Sequence, residues 1–316
     1  MKRYIVKRLL SLIPVLFVVA VVVFLIMHIT PGDSAAVILG PEASPEEVEE
    51  LREELGLNLP IVQQFINWGG AVLKGDLGWS VFMKKPVLQA FTEHLGPTLS
   101  LAIMAQLFAI LVAVPLGVIA ARHRGTAVDQ SFMGLALMGI SIPSFLLGLF
   151  LILLFSVQLQ WLPVAGYRPL SEGFLEHIRY LILPAIALGA MQAALIARMT
   201  RSSMLDVLNS NYIKTARSKG VKEGRITFKH ALRNAFIPIL TVIGQTFGTL
   251  IAGAAVVETV FNIPGIGQLI INSVERRDFA VIQGTILLIA VSYVLINLII
   301  DLLYGVIDPR VRLNKD

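Results

Sequence analysis

Cysteine is absent from all 316 residues. That absence excludes disulfides, zinc–thiolate centres and cysteine nucleophiles. Charge is scarce as well, at 15% of residues against 56% hydrophobic. Several apolar stretches reach the roughly 20 residues that cross a bilayer as helix, so a polytopic membrane protein is expected and a soluble multidomain protein is excluded. The net charge of +5 comes from basic residues clustered beside apolar stretches, which gives no argument for nucleic acid. No Gly-Lys dipeptide occurs; the phosphate-cradling P-loop requires one, so this chain has no ATP site of that kind. The five histidines are scattered and make no H-E-x-x-H pair, which speaks against a metal site. No G-x-S-x-G elbow appears, since Gly78-Trp79-Ser80 lacks the second glycine, which leaves an intramembrane hydrolase a remote reading.

What is present is a series of apolar runs. The first covers residues 9–29, directly behind Lys2, Arg3, Lys7 and Arg8. It is longer than a signal-peptide core and no A-x-A site follows, so an uncleaved span is expected. Further spans are expected near 98–121, 131–157, 181–199, 236–257 and 282–303. With both termini inside, 18 of the 26 Lys and Arg fall on the inner side and 8 on the outer, as the positive-inside rule requires. The expected fold is therefore an all-α polytopic membrane protein with six transmembrane helices and both termini cytoplasmic. Residues 1–29 make the N-terminus and first helix, 30–97 a small helical extracytoplasmic insert, 98–307 a five-helix core that includes 205–235, and 308–316 a cytoplasmic tail.

Within the insert, Pro31-Gly32-Asp33 predicts a turn, and Ser44-Pro45-Glu46-Glu47 opens a helix that ends at Gly56. A second helix is expected over 60–72, followed by a loop at Gly75-Asp76-Leu77-Gly78. Arg198, Glu258, Asp301 and His28 each lie within a turn or two of a span boundary, where snorkelling satisfies them and no deep acid marks a proton relay. Gly244 and Gly248 form a small-xxx-small pair, open equally to internal packing and to a subunit contact. Ser141-Ile142-Pro143-Ser144 predicts a kink in the third span.

Residues 209–238 form the longest polar interval between two apolar spans on the basic side. They carry Lys214, Arg217, Lys219, Lys222, Arg225, Lys229 and Arg233 against only Glu223. A positive-inside loop lying on anionic lipid explains that charge. It does not explain the helical order. Ile213, Ala216 and Gly220 fall on one face, Asn209 or Ser210 suits the N-cap, and Gly220 suits the stop. Such a small apolar face suits insertion into a protein cleft. Farther on, Phe228, Ala231, Leu232 and Ala235 make a second apolar face.

The run Tyr212-Ile213-Lys214-Thr215-Ala216-Arg217-Ser218-Lys219-Gly220 resembles the signature loop of ABC importer permeases, and more narrowly their peptide/nickel branch. The likeness continues in Gly75-Asp76-Leu77-Gly78, Ala197-Arg198-Met199-Thr200-Arg201, His230-Ala231-Leu232-Arg233-Asn234, Glu258-Thr259-Val260-Phe261, Pro264-Gly265-Ile266-Gly267, Arg277-Asp278 and Asp308-Pro309-Arg310. The resemblance implies a permease that acts with a second homologous permease, two ABC ATPase subunits and an extracytoplasmic substrate-binding protein. The whole complex would sit in a prokaryotic inner membrane. No catalytic residue, cofactor or metal is implied in this chain, since Mg-ATP belongs to the partner subunits. Tyr212, Ile213, Lys214, Thr215, Ala216, Arg217, Lys219 and Gly220 would form the coupling helix, with Lys214, Arg217 and Lys219 meeting acidic groups on the ATPase. Glu258, Phe261, Pro264, Gly265, Gly267, Arg277 and Asp278 would lie in a segment facing the binding protein or the outer gate. The implied cargo is a di- or oligopeptide; nickel chelates, glutathione and oligosaccharides are alternatives within the branch. A stand-alone carrier or channel, or a membrane scaffold, leaves the spacing of these motifs unexplained.

Overall fold

The computed structural model describes residues 2–29, 34–40 and 42–307, without the side chains of 2–12, 34, 252 and 301–307. The Pro31-Gly32-Asp33 turn, the Asp301 side chain and the tail 308–316 lie outside the described residues. The chain is mostly helical and divides into two units, one of residues 1–96 with 269–298 and one of 97–268 with 299–316.

In the first unit, α1 (Lys2–Ile29) packs on α4 (Ile61–Leu73). Aromatic edges make that contact: the Phe24 and Phe65 rings lie 5.2 Å apart and Phe24 and Trp68 5.7 Å apart. Between these helices come α2 (Ser34–Leu39) and α3 (Pro45–Glu54). Ser44 opens α3 where its sequence predicts a helix start, through a full capping box with Glu47. Gly56, at φ +68°, closes it. The loop expected at 75–78 is present, and a hairpin of β1 (Trp79–Ser80) and β2 (Lys85–Pro86) follows it. The hairpin leads into α5 (Val87–Arg122), which starts well before the expected position 98 and contains Pro97 and Pro115.

In the second unit, α8 (Phe174–Leu208) is central. It packs against α6 (Ala127–Ser141), α7 (Ser144–Leu151) and α11 (Leu232–Gly253). Of its apolar stretch 67% is buried, against 39%, 39% and 44% for the other three long apolar helices. Small residues allow that depth. A Cβ on Gly189 would lie 2.6 Å from the Ala105 carbonyl oxygen, and one on Gly117 2.7 Å from that of Ala197. Gly244 and Gly248 are also buried within this chain. Asp129, at the start of α6, accepts two hydrogen bonds from the Arg201 guanidinium at 2.6 and 2.7 Å. This pair fixes α6 to the far end of α8.

Among the described residues four helices are long and apolar enough to span a membrane: Val87–Arg122, Phe174–Leu208, Glu223–Ile251 and Phe279–Ile300. A fifth stretch, Ala127–Ser141 with Ser144–Gln158, is bent by 104°, more than the kink expected from its sequence. Ile142 is extended, at φ −88° and ψ 121°, because Pro143 disfavours the helical region for the residue before it. The described apolar part of α1, Ile13–Ile29, is shorter. α14 (Phe279–Ile307) is the last element among the described residues.

Candidate functional site

The polar interval after α8 folds into α9 (Asn211–Ser218), α10 (Glu223–Arg225) and a π-helical turn over Ile226–Ala231 that continues into α11. Ser210 stands at the N-cap of α9 with extended backbone, but its hydroxyl turns back to the Val207 carbonyl at 2.6 Å. The C-terminus is a complete Schellman turn. Gly220 at φ +73° donates to Arg217 O at 2.9 Å, and Val221 donates to Ala216 O at 3.1 Å.

Three ties hold α9 to its own chain. Ile213 is fully buried. Asn234, in the first turn of α11, donates its amide to the Tyr212 hydroxyl at 2.9 Å and to the His230 carbonyl at 2.8 Å. Arg217 grips Glu223 at 2.8 and 3.3 Å, which raises the Arg217 pKa above its usual value. These ties correct two expectations. The apolar face centred on Ile213 packs inward rather than standing free, and Ala216 is half-buried. The outward face is polar: Lys214, Thr215, Ser218 and Lys219 are exposed. The guanidinium of Arg217 is engaged within this chain, leaving Lys214 and Lys219 as the outward charges of the helix. The second apolar face also shifts. A π turn adds a residue to the helical register, so Ile226, Thr227, Ala231 and Ala235 are buried while Phe228 is 62% exposed.

At the other candidate segment, α12 (Ala255–Val260) is followed by α13 (Ile266–Glu275). Glu258 is fully buried, which overturns the snorkelling expected of it. One carboxylate oxygen accepts from the Thr98 hydroxyl at 2.6 Å; the other accepts from the Gly267 and Gln268 amides at 2.8 and 3.1 Å. Thr98 in turn accepts from the Ile266 amide at 2.8 Å. Together the two side chains cap the first three amides of α13. The glycines of Pro264-Gly265-Ile266-Gly267 make room for this: a Cβ on Gly265 would strike the Glu258 carboxylate, and one on Gly267 the Ala255 backbone. Pro264 is exposed. Phe261 is 2% exposed; its carbonyl accepts from Gly166 at 2.7 Å, and a Cβ on Gly148 would lie 2.9 Å from its ring. In the first unit, Arg277 is exposed at φ +55°, while the buried Asp278 accepts from the Ser80 hydroxyl at 2.6 Å. Glu258, Phe261, Gly265 and Asp278 are thus buried within the chain. Nothing in the sequence near Thr98 signals its part.

A cleft of about 810 Å³ opens between the break after α6, the middle of α8 and α11. Its walls carry Gln192, Arg198, Gln245, Thr246 and Thr249 among apolar side chains. No sequence pattern set these residues apart from lipid-facing ones.

Residues 113–313 match the family described as binding-protein-dependent transport system inner membrane component, and residues 1–102 match the N-terminal model of such a membrane component. The chain belongs to this family. The permease is 45% identical over 312 residues to the glutathione transport system permease protein GsiC of Escherichia coli, covering 99% of each chain. It is equally 45% identical over 309 residues to a probable peptide ABC transporter permease protein of Sinorhizobium fredii, covering 98% of this chain and 99% of the other. These relatives place the permease in the peptide branch of ABC importers. Its fold is shared with the inward-facing MetNI methionine ABC transporter, at a TM-score of 0.59 and 19% identity, over 70% of this chain and 97% of that one.

Proposed function

We propose that this permease carries di- or oligopeptides from an extracytoplasmic binding protein into the cytoplasm of a prokaryotic cell, across the inner membrane. Work comes from two ATPase subunits that bind Mg-ATP, and a second homologous permease completes the pathway. Six spans with both termini cytoplasmic fit the 18-to-8 split of basic residues. On that topology residues 30–97 form the extracytoplasmic insert, 205–235 the coupling region within the 98–307 core, and 308–316 the tail. The 258–279 segment lies at the outer side, where it serves the gate or the binding protein.

The observation that carries the coupling assignment is the attachment of α9. Its polar face is exposed and Ile213 is buried, while the Arg217–Glu223 pair and the Asn234–Tyr212 bond tie it to the continuous helical stretch Glu223–Ile251 that contains most of α11. A short helix held in this way moves with α11, so a push from an ATPase on Lys214, Thr215 or Lys219 reaches a spanning helix. Alternating access then follows from ATP-driven closure of the partners, with resetting after hydrolysis.

In the reconstituted complex, Ala216→Asp and Gly220→Pro are expected to leave insertion and assembly intact. Substrate-stimulated ATPase should fall at least about tenfold. An assembled mutant with normal stimulated turnover would remove the coupling assignment. A second cargo, glutathione, is supported by the 45% identity to a glutathione permease. Glutathione is itself a peptide, and competition between trialanine and glutathione for uptake separates the two.

A further inference from the structure

Arg198 is the only charged residue lining the cleft among the described residues. It is exposed, and the ion pairs formed by described residues involve other cations. A guanidinium on a spanning helix is expensive toward lipid and settles where water or an anion reaches it. Six residues earlier on α8, Gln192 lines the same cleft at 7% exposure. Its Nε2 donates to Thr249 Oγ1 at a long 3.4 Å, and its Oε1 has no hydrogen-bond partner among the described residues. Buried acceptors are ordinarily paired; the Gln192 oxygen is unpaired and enclosed in the cleft wall, and a turn of its side chain toward the cleft would bring it to a donor that arrives from outside. Six helical residues span roughly 9 Å, the length of about three residues of extended peptide at roughly 3.3 Å each. The remaining polar lining, including Ser144, Ser202, Gln245 and Thr246, is neutral and repels no anion.

We propose that this cleft is a binding station on the transport path, where Arg198 takes the α-carboxylate of a short peptide and Gln192 accepts a backbone N–H farther along it. The assignment rests on the peptide reading given above. Arginine suits the task because its planar fork meets a carboxylate with two charge-assisted hydrogen bonds. The site reads the end and the backbone common to all such peptides and leaves side chains unread, consistent with selection by the binding protein upstream.

The cysteine-free chain provides the test. Gln245→Cys, in a complete complex with cysteine-free partners, places one thiol in the cleft. Its alkylation by a water-soluble maleimide is timed with millimolar trialanine or trialanine amide, without binding protein. Trialanine is expected to slow labelling about tenfold, in line with a charge-assisted pair, and the amide to leave it unchanged. Arg198→Gln should abolish protection and Arg198→Lys should retain part of it. Equal protection by acid and amide, or protection that survives Arg198→Gln, overturns the site. Uptake of trialanine and glutathione with the binding protein present is measured in parallel. Peptide uptake without Arg198-dependent protection overturns the site and leaves the peptide reading standing; no uptake of either peptide removes the peptide reading and the site with it.

Discussion

Two helices in this permease begin on the same chemistry, a hydroxyl working with a carboxylate. At α3, Ser44 and Glu47 exchange hydrogen bonds on an exposed surface, three residues apart. At α13, the Thr98 hydroxyl donates to the Glu258 carboxylate in full burial, 160 residues apart, and the two side chains accept from three amides. The first cap trades hydrogen bonds to water for hydrogen bonds to protein and gains little from the exchange. The second has no water to fall back on, so each lost acceptor strands a donor in a low-dielectric interior. Equivalent bonds therefore stand for different things: a local convenience at α3, and a joint that positions the 258–268 segment at α13.

The comparison breaks most visibly at Glu258. Glu258→Ala strands the Gly267 and Gln268 amides and the Thr98 hydroxyl, and is expected to cost about 3 kcal/mol or more. A large drop in the detergent-solubilised melting temperature, or loss of folded protein, is the expected result. Glu258→Gln keeps an acceptor and should cost less than Glu258→Ala. Gly265→Ala, which drives a methyl into the carboxylate, should cost about 1–3 kcal/mol. If all three variants melt like the wild type, Glu258 does not hold α13.

How much of this was open to sequence reading depends on distance along the chain. The Ser44–Glu47 cap and the Gly220 stop of α9 are written within a few residues, and both appear where local pattern puts them. The 211–218 segment was legible as a helix, but not which face it buries, since the partner of Ile213 is its own chain. The π turn at 226–231 shifted the second face in a way that 3.6-residue periodicity does not carry. Glu258 was noticed as a charge near a boundary. Its role needed Thr98, which only tertiary packing brings to it. The cleft was invisible for the same reason: Gln192 and Arg198 share one helix with buried alanines, and sequence does not say which stripe faces a void.

A smaller effect sharpens the contrast between glycine and other residues at helix ends. Gly220 and Arg277 occupy the same position of a Schellman turn, at φ +73° and +55°. Gly220→Ala introduces a Cβ where left-handed backbone disfavours it and should cost about 1 kcal/mol, whereas Arg277→Gly relieves that strain and should gain up to about 1 kcal/mol. Opposite shifts in hydrogen-exchange protection at the two helix ends are expected. Shifts of the same sign would mean that Arg277 is held by contacts worth more than its backbone strain.

The smallest effect belongs to the exposed cap. The Ser44 backbone amide, and then its hydroxyl, hold the Glu47 carboxyl below its ordinary value of 4.5. A carboxylate with a depressed folded pKa stabilises the fold above its unfolded value, and that contribution disappears as pH falls through the folded one. The cap should therefore be intact at neutral pH and start to weaken only below about 4.5. The Ser44 amide resonance of serine-labelled permease in nanodiscs is expected to titrate with a midpoint below 4.5, the ordinary value for Glu47. Glu47→Gln should abolish that titration without a measurable change in melting temperature, because the group is fully exposed and water takes over its hydrogen bonds. A midpoint at or above the ordinary value would show that the Ser44–Glu47 bond does not persist in solution. The contrast with Glu258 would then lie between a cap and no cap, rather than between a cheap cap and a costly one.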